Sequence, residues 1–192
     1  MVFSKFRSSV SELLKPLGLF LAKHGAKPWH MTLIGFSFSI LFAYLALAKY
    51  LLLTPVFLLL AGFFDVLDGL VAKVSNKVSL SGAYLDSMVD RLSDIVIYAG
   101  FFFLGFDMFI VFLATSLTLT LTYSKARLEN LGIREPRISL FERSDRIIVL
   151  TFILILYIVN SSLSHAAFTI YTVALTIIVT LRLITGYMDL RK

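Results

Sequence analysis

"FFDVLDGLVAKVSNKVSLSGAYLDSMVDRLSD", residues 63–94, sets five aspartates, Asp65, Asp68, Asp86, Asp90 and Asp94, inside an otherwise apolar chain. An ionised carboxylate at mid-bilayer costs roughly 2.5–3.5 kcal/mol on insertion scales, so four would cost on the order of 10 kcal/mol if unpaired and fully immersed. Two questions follow: whether the flanks of this stretch cross a membrane, and what offsets its charge.

The surrounding residues answer the first. The chain has 192 residues, 58% hydrophobic and 16% charged, whereas a soluble domain is nearer half apolar and a quarter charged. Six apolar segments, at about 31–49, 53–74, 80–103, 107–128, 145–160 and 166–186, approach the length that spans a bilayer. The expectation is an all-α integral membrane protein with six transmembrane helices bundled over residues 31–186. The third segment fails a strict hydropathy cut-off because it carries the aspartates. Residues 1–192 read as one membrane domain, without internal repeats.

Ahead of the bundle, residues 1–24 read as a juxtamembrane helix. Phe3, Phe6, Val10, Leu13, Leu14 and Leu17 recur at three-to-four spacing, with basic and hydroxyl residues opposite. That pattern suits an amphipathic helix lying in the headgroup plane; a short soluble helix is the alternative. Pro16 is expected to kink or divide it. The opening residues lack the continuous apolar core of a secretory leader. The chain has no cysteines, which excludes disulfides and thiolate metal sites.

Basic residues set the orientation. Lys5, Arg7, Lys15, Lys23 and Lys27 precede the first span, and Lys73 and Lys77 lie between the second and third. Lys125, Arg127, Arg134, Arg137, Arg143 and Arg146 surround the connection between the fourth and fifth, and Arg191 and Lys192 end the chain. The opposite loops hold Lys49. The asymmetry predicts a multi-pass protein of the cell membrane with both termini and the aspartates on the cytoplasmic side.

A cation is the economical answer to the second question. Asp65 and Asp68 lie about 60° apart around one helix, and Asp86 and Asp90 about 40° apart around the next. Two antiparallel helices joined by a short cytoplasmic connection bring both pairs level. Such an all-oxygen cluster suits a hard divalent ion, Mg²⁺ or Mn²⁺. Asp94 lies one turn deeper and is expected to support Arg91 or a polar neighbour. Gly69, Ala72 and Gly82 border the carboxylates and are small enough for a nucleotide to approach, or for helices to pack closely.

These residues read D-x2-D-G-x2-A-K-x8-G-x3-D-x3-D from Asp65 to Asp90. The run resembles the signature of the CDP-alcohol phosphotransferase family and departs from it at Lys73, where the family usually has arginine. The resemblance implies a six-helix membrane enzyme, a homodimer, that displaces CMP from a CDP-linked lipid, CDP-diacylglycerol or CDP-archaeol, by attack of an alcohol hydroxyl. It implies that Asp65, Asp68, Asp86 and Asp90 hold two divalent ions, and that Asp90 also takes the hydroxyl proton. It places Thr32, Asp65, Asp68, Gly69, Ala72, Lys73 and Gly82 against the CDP-lipid. Upstream, Gly25, Pro28 and Thr32 match the run that opens the first span in many members; Thr32 alternatively just starts the helix. No metal role is expected of His30.

The acceptor is read from cations. Lys125, Arg127, Arg143 and Arg146 flank the ends of the fourth and fifth spans, and fixed cations beside a metal site suit a phosphorylated alcohol. "KARLENLG", residues 125–132, and "ERSDR", residues 142–146, resemble the branch of the family that uses inositol 1-phosphate, and Arg182 matches an arginine completing that pocket. Glycerol 3-phosphate and other alcohols are the alternatives. From a different class, an ion-coupled transporter also binds ions through intramembrane aspartates, but the chain shows neither repeats nor broken helices. Membrane lipids are expected neighbours and nucleic acid is not.

Overall fold

The computed structural model describes the backbone of residues 2–75, 79–133 and 141–191, and the side chains of 12–74, 79–133 and 141–191. The readings of Lys77, Arg134, Arg137 and Lys192, and of the side chains of Lys5, Arg7, Phe3, Phe6 and Val10, lie outside the described residues.

Seven helices account for the described secondary structure: α1 Val2–Lys23, α2 Pro28–Leu47, α3 Thr54–Ser75, α4 Leu80–Leu104, α5 Met108–Asn130, α6 Arg143–Val159 and α7 Ser161–Leu190. Their ends follow from local chemistry. Pro28 opens α2, where its missing N–H costs nothing. Ser79 caps α4 by accepting from the Gly82 amide at 3.0 Å. Gly105, at φ 101°, closes α4 in the left-handed conformation that favours glycine. Asn160 alone joins α6 to α7, its Oδ1 accepting from the Leu163 amide at 3.1 Å.

Four of these helices, α2, α3, α5 and α7, are long and apolar enough to cross a membrane. Helix α4 has the length, at 25 residues, but carries Asp86, Asp90, Arg91 and Asp94. Helix α6 has 17 residues, a rise of about 25 Å. Pro16 does not divide α1, which runs unbroken through it. The carbonyl deprived of its donor by Pro16 belongs to Glu12, an exposed residue, so it can be solvated.

Helix α2 packs on α3 and α4, α1 along α3, α3 on α6, and α7 on α5 and α6. Small residues permit the crossings. A Cβ at Gly35 of α2 would lie 3.2 Å from Phe64 Cβ and 3.3 Å from the Ala61 carbonyl oxygen of α3. One core cluster is aromatic: Phe101 stacks on Phe168 with centroids 5.1 Å apart. Beneath it the Tyr98 hydroxyl meets Thr118 Oγ1 at 2.8 Å and Tyr171 at 2.6 Å, so this buried polar group is satisfied. A second cluster, Met31, Leu67, Leu70 and Val71, receives Leu14 and Leu21 of α1. Helix α1 therefore docks beside the half of α3 that carries the aspartates. Large apolar side chains such as Phe112, Phe152 and Ile170 lie on outward faces, an arrangement suited to lipid rather than water.

Candidate active site

Asp65 and Asp68 lie in the C-terminal half of α3, and Asp86 and Asp90 in the N-terminal half of α4. Both halves flank the 76–79 connection, so the pairs come level as the spacing required. Thr32, from the first turns of α2, is buried between the helices. Its Oγ1 lies 3.3 Å from Asp68 Oδ2, 3.3 Å from Asp86 Oδ1 and 3.3 Å from the Pro28 carbonyl oxygen. One hydroxyl proton thus has three acceptors, and Thr32 ties the two aspartate pairs together.

Arg143 enters from the first turn of α6. Its Nη1 lies 3.1 Å from Asp65 Oδ1 and against Asp90 Oδ1, so the guanidinium bridges the two helices. Its Nε and Nη1 are buried, and neither has a hydrogen bond of sound geometry. Thr32, Gly35, Asp65, Asp68, Asp90 and Arg143 together line a small cavity of about 10 Å³. Among the described residues, no three carboxylate or imidazole groups stand in a ready-made metal cluster; Arg143 and Thr32 lie between the oxygens. The donor set nevertheless suits a hard divalent cation. Four carboxylates and a hydroxyl supply only oxygen, and one guanidinium leaves most of their negative charge uncompensated.

A groove of about 460 Å³ opens beside this cavity, between α3, α6 and α1. Asp65, Gly69 and Lys73 line its polar part, and Leu59, Phe63 and Ile148 its apolar wall. A Cβ built at Gly69 meets nothing within 4 Å, so this glycine faces open groove rather than a packed helix. Lys73 is exposed there, and Ala72, one residue before it, is half-buried. Gly82 differs: its amide serves the Ser79 cap, and a Cβ would fall 2.9 Å from Ser79 Oγ.

The expected acceptor cations separate. Arg143 reaches the aspartates. Arg146, three residues on, does not: it is buried, donating from Nη2 to Asp94 Oδ2 at 2.9 Å and from Nη1 to the Phe141 carbonyl at 2.9 Å. Lys125 pairs with Glu142 at 3.4 Å, and Arg127 is exposed. Arg182 is buried, with Nη1 3.4 Å from the Leu121 carbonyl oxygen. Asp94 faces Arg146 instead of Arg91, which folds back on its own helix to Ser87 Oγ at 2.7 Å. His30 Nδ1 accepts from the Lys27 amide at 3.1 Å, a helix-capping role.

Residues missed from sequence are Glu142, Ser144, Asp145, Ile147 and Ile148. Glu142 partners Lys125, and the others form the α6 wall of the groove. An S-D pair beside "ER", residues 142–145, gave some hint of a helix start: Asp145 Oδ2 accepts from the Glu142 amide at 3.1 Å. Nothing in the local pattern told which face of α6 meets α3.

The profile of the CDP-alcohol phosphatidyltransferase family matches residues 27–181. The chain is 31% identical to an archaetidylinositol phosphate synthase of Aeropyrum pernix over 100% of this chain and 99% of that one. It is 35% identical to the enzyme of that name from Pyrococcus horikoshii, over 78% of this chain and 80% of the other. Among solved structures, phosphatidylinositol phosphate synthase of Mycobacterium tuberculosis with CDP-DAG bound superposes with a TM-score of 0.78 at 23% identity, covering 92% of this chain and 94% of that one. A second structure of that enzyme, with manganese and citrate, gives 0.77 at 24% identity over 90% and 88%. At such identities the superpositions establish the shared fold.

Proposed function

The chain belongs to the CDP-alcohol phosphatidyltransferase family, and from that premise we propose that it moves the phosphatidyl or archaetidyl group of CDP-diacylglycerol or CDP-archaeol onto inositol 1-phosphate, releasing CMP. One observation carries the reading: the aspartate cavity shares Asp65 with a groove that is polar at Gly69 and Lys73 and apolar along Leu59, Phe63 and Ile148. An amphiphilic donor needs that continuity, because its diphosphate and its chains must be bound at once. The names of the archaeal relatives support inositol phosphate as acceptor, and Arg143 beside the carboxylates suits a phosphorylated alcohol.

The protein is a multi-pass membrane enzyme. In this reading α2 to α7 all cross the bilayer, with α4 and α6 screened by their neighbours, while α1 lies at the interface. Both termini and the site face the cytoplasm, the orientation that the bias of basic residues favours. Two copies assemble as a homodimer, as the family resemblance implies.

Asp65, Asp68, Asp86 and Asp90 would hold divalent metal, two Mg²⁺ or Mn²⁺ ions, which would supply positive charge to the donor diphosphate and to the departing phosphate. Asp90 orients the acceptor hydroxyl and receives its proton. The acceptor oxygen then forms a bond to the lipid-side phosphorus, the bridging P–O bond breaks, and its electron pair leaves with CMP. Arg143 lies against Asp90 and Asp65 and holds the two helices' carboxylates together. Thr32 holds Asp68 and Asp86 in register, and Lys73 and Gly69 receive the diphosphate end of the donor. Arg143, with Lys125 and Arg127 toward solvent, attracts the acceptor phosphate. Arg146 and Arg182 act from within the protein, behind them.

The test is CMP release by the purified protein from each CDP-lipid, with Mg²⁺ or Mn²⁺ and each acceptor in turn. Release with inositol 1-phosphate is the expected result. No release with any acceptor from well-folded protein refutes the reading, and release with glycerol 3-phosphate alone refutes its acceptor.

A further inference from the structure

Asp94 is the aspartate of the 63–94 stretch that the reaction leaves without a task. It lies one turn past Asp90 on α4, is 5% exposed, and faces two arginines of α6. Its Oδ2 accepts from Arg146 Nη2 at 2.9 Å, and its Oδ1 lies 3.8 Å from Arg143 Nε, an ionic contact longer than a hydrogen bond. Arg146 in turn donates to the carbonyl of Phe141, two residues before α6 begins. Phe141 has a positive φ of 57°, and its ring stacks on Tyr171 of α7 with centroids 5.8 Å apart. Asp94, Arg146 and the Phe141 carbonyl thus form a clasp between α4 and the start of α6.

That clasp has a consequence for Arg143. Arg143 and Arg146 are about 60° apart on α6, so both face α4. Fixing Arg146 and the Phe141 backbone sets the register of the first turn. The Asp94 carboxylate beside Nε then leaves Nη1 directed at Asp65 and Asp90. The geometry points to Asp94 as a positioning residue: through Arg146 and directly through Nε, it holds the Arg143 guanidinium where the acceptor phosphate is received. This inference rests on the acceptor role given to Arg143 above. Stability alone is a poor reason for such an arrangement, since a buried ion pair is often replaced by apolar residues at no loss.

Asp94→Asn alone strands the buried Arg146 charge and can fail to fold. The principal variant is therefore Asp94→Asn/Arg146→Gln, which removes both charges together, isosterically at Asp94 and with a shorter side chain at Arg146, and Arg146→Lys is the second, keeping the charge but breaking the guanidinium fork. Steady-state kinetics are measured for each, with and without Arg143→Ala, alongside thermal stability in detergent. Loss of a charge-assisted contact predicts a roughly 5- to 10-fold rise in acceptor KM, with the CDP-lipid KM within about twofold. In the Arg143→Ala background the clasp variants should add nothing further. A clasp variant that melts lower but keeps the normal acceptor KM overturns the proposal, and so does a rise that multiplies with that of Arg143→Ala. An unchanged acceptor KM in Arg143→Ala itself instead removes the acceptor role of Arg143, a separate failure visible before any clasp variant is made.

Discussion

Gly69→Ala separates a glycine kept for a ligand from one kept for packing. A Cβ at Gly69 meets nothing within 4 Å, and the residue lines the groove beside Asp65 and Lys73. Alanine exceeds glycine within a helix by about 0.8–1.0 kcal/mol. For a chain of this size that corresponds to a melting temperature raised by roughly 2–4 °C. In the proposed reading the donor diphosphate approaches the helix backbone at this methyl group. A loss of about 1.4 kcal/mol there raises the CDP-lipid KM roughly tenfold, with the acceptor KM unchanged. Gly100 is the control, because its Cβ would collide with the buried Phe42 ring, away from the groove. Gly100→Ala should therefore cost about 1–3 kcal/mol of stability. The assay pairs thermal melting in detergent with CMP-release kinetics at varied CDP-lipid. A Gly69→Ala protein that melts lower, or one that melts higher with an unchanged donor KM, refutes the reasoning.

Asp90→Asn should lower turnover at least about 100-fold while metal-dependent CDP-lipid binding partly survives; equal loss of binding would make Asp90 chiefly a ligand. Lys73→Arg, which restores a planar fork for phosphate, should leave CMP release equal or raised, and a severe loss at normal expression would count against lysine being either a tolerated swap or a weaker donor contact. Tyr98→Phe leaves the Thr118 and Tyr171 hydroxyls short of a partner, so it should destabilise by about 1–3 kcal/mol with both KM values unchanged. A large kinetic effect there would tie the aromatic core to catalysis.

Much of the site was legible because helical spacing is a local property. The three-residue step from Asp65 to Asp68 and the four-residue step from Asp86 to Asp90 each fix one helix face. The short connection between them fixes their level. Neither inference needs a third helix. The membrane character was equally local, since it follows from the length of apolar runs. Helices α4 and α6 were harder, because the charge that serves the site in α4 and the 17-residue length of α6 weaken that same signal. Pro16 misled for a related reason: an interior proline removes one hydrogen bond, and at an exposed carbonyl that loss is too small to divide α1.

The sequence by itself determined which carboxylates share a helix face and come level beside one connection. Only the tertiary structure decided which arginine answers which aspartate. Arg143 and Arg146 stand three residues apart with the same chemistry, yet one reaches Asp65 and Asp90 and the other is held by Asp94. The groove wall of Ile147 and Ile148 was set in the same way. The physical reason is that spacing along a helix gives angles about its own axis, whereas ion partners and groove walls depend on the rotation and register of one helix against another. Those are fixed by packing, here at Gly35 and Gly62 and in the Asp94–Arg146 clasp, and packing is written in no single segment.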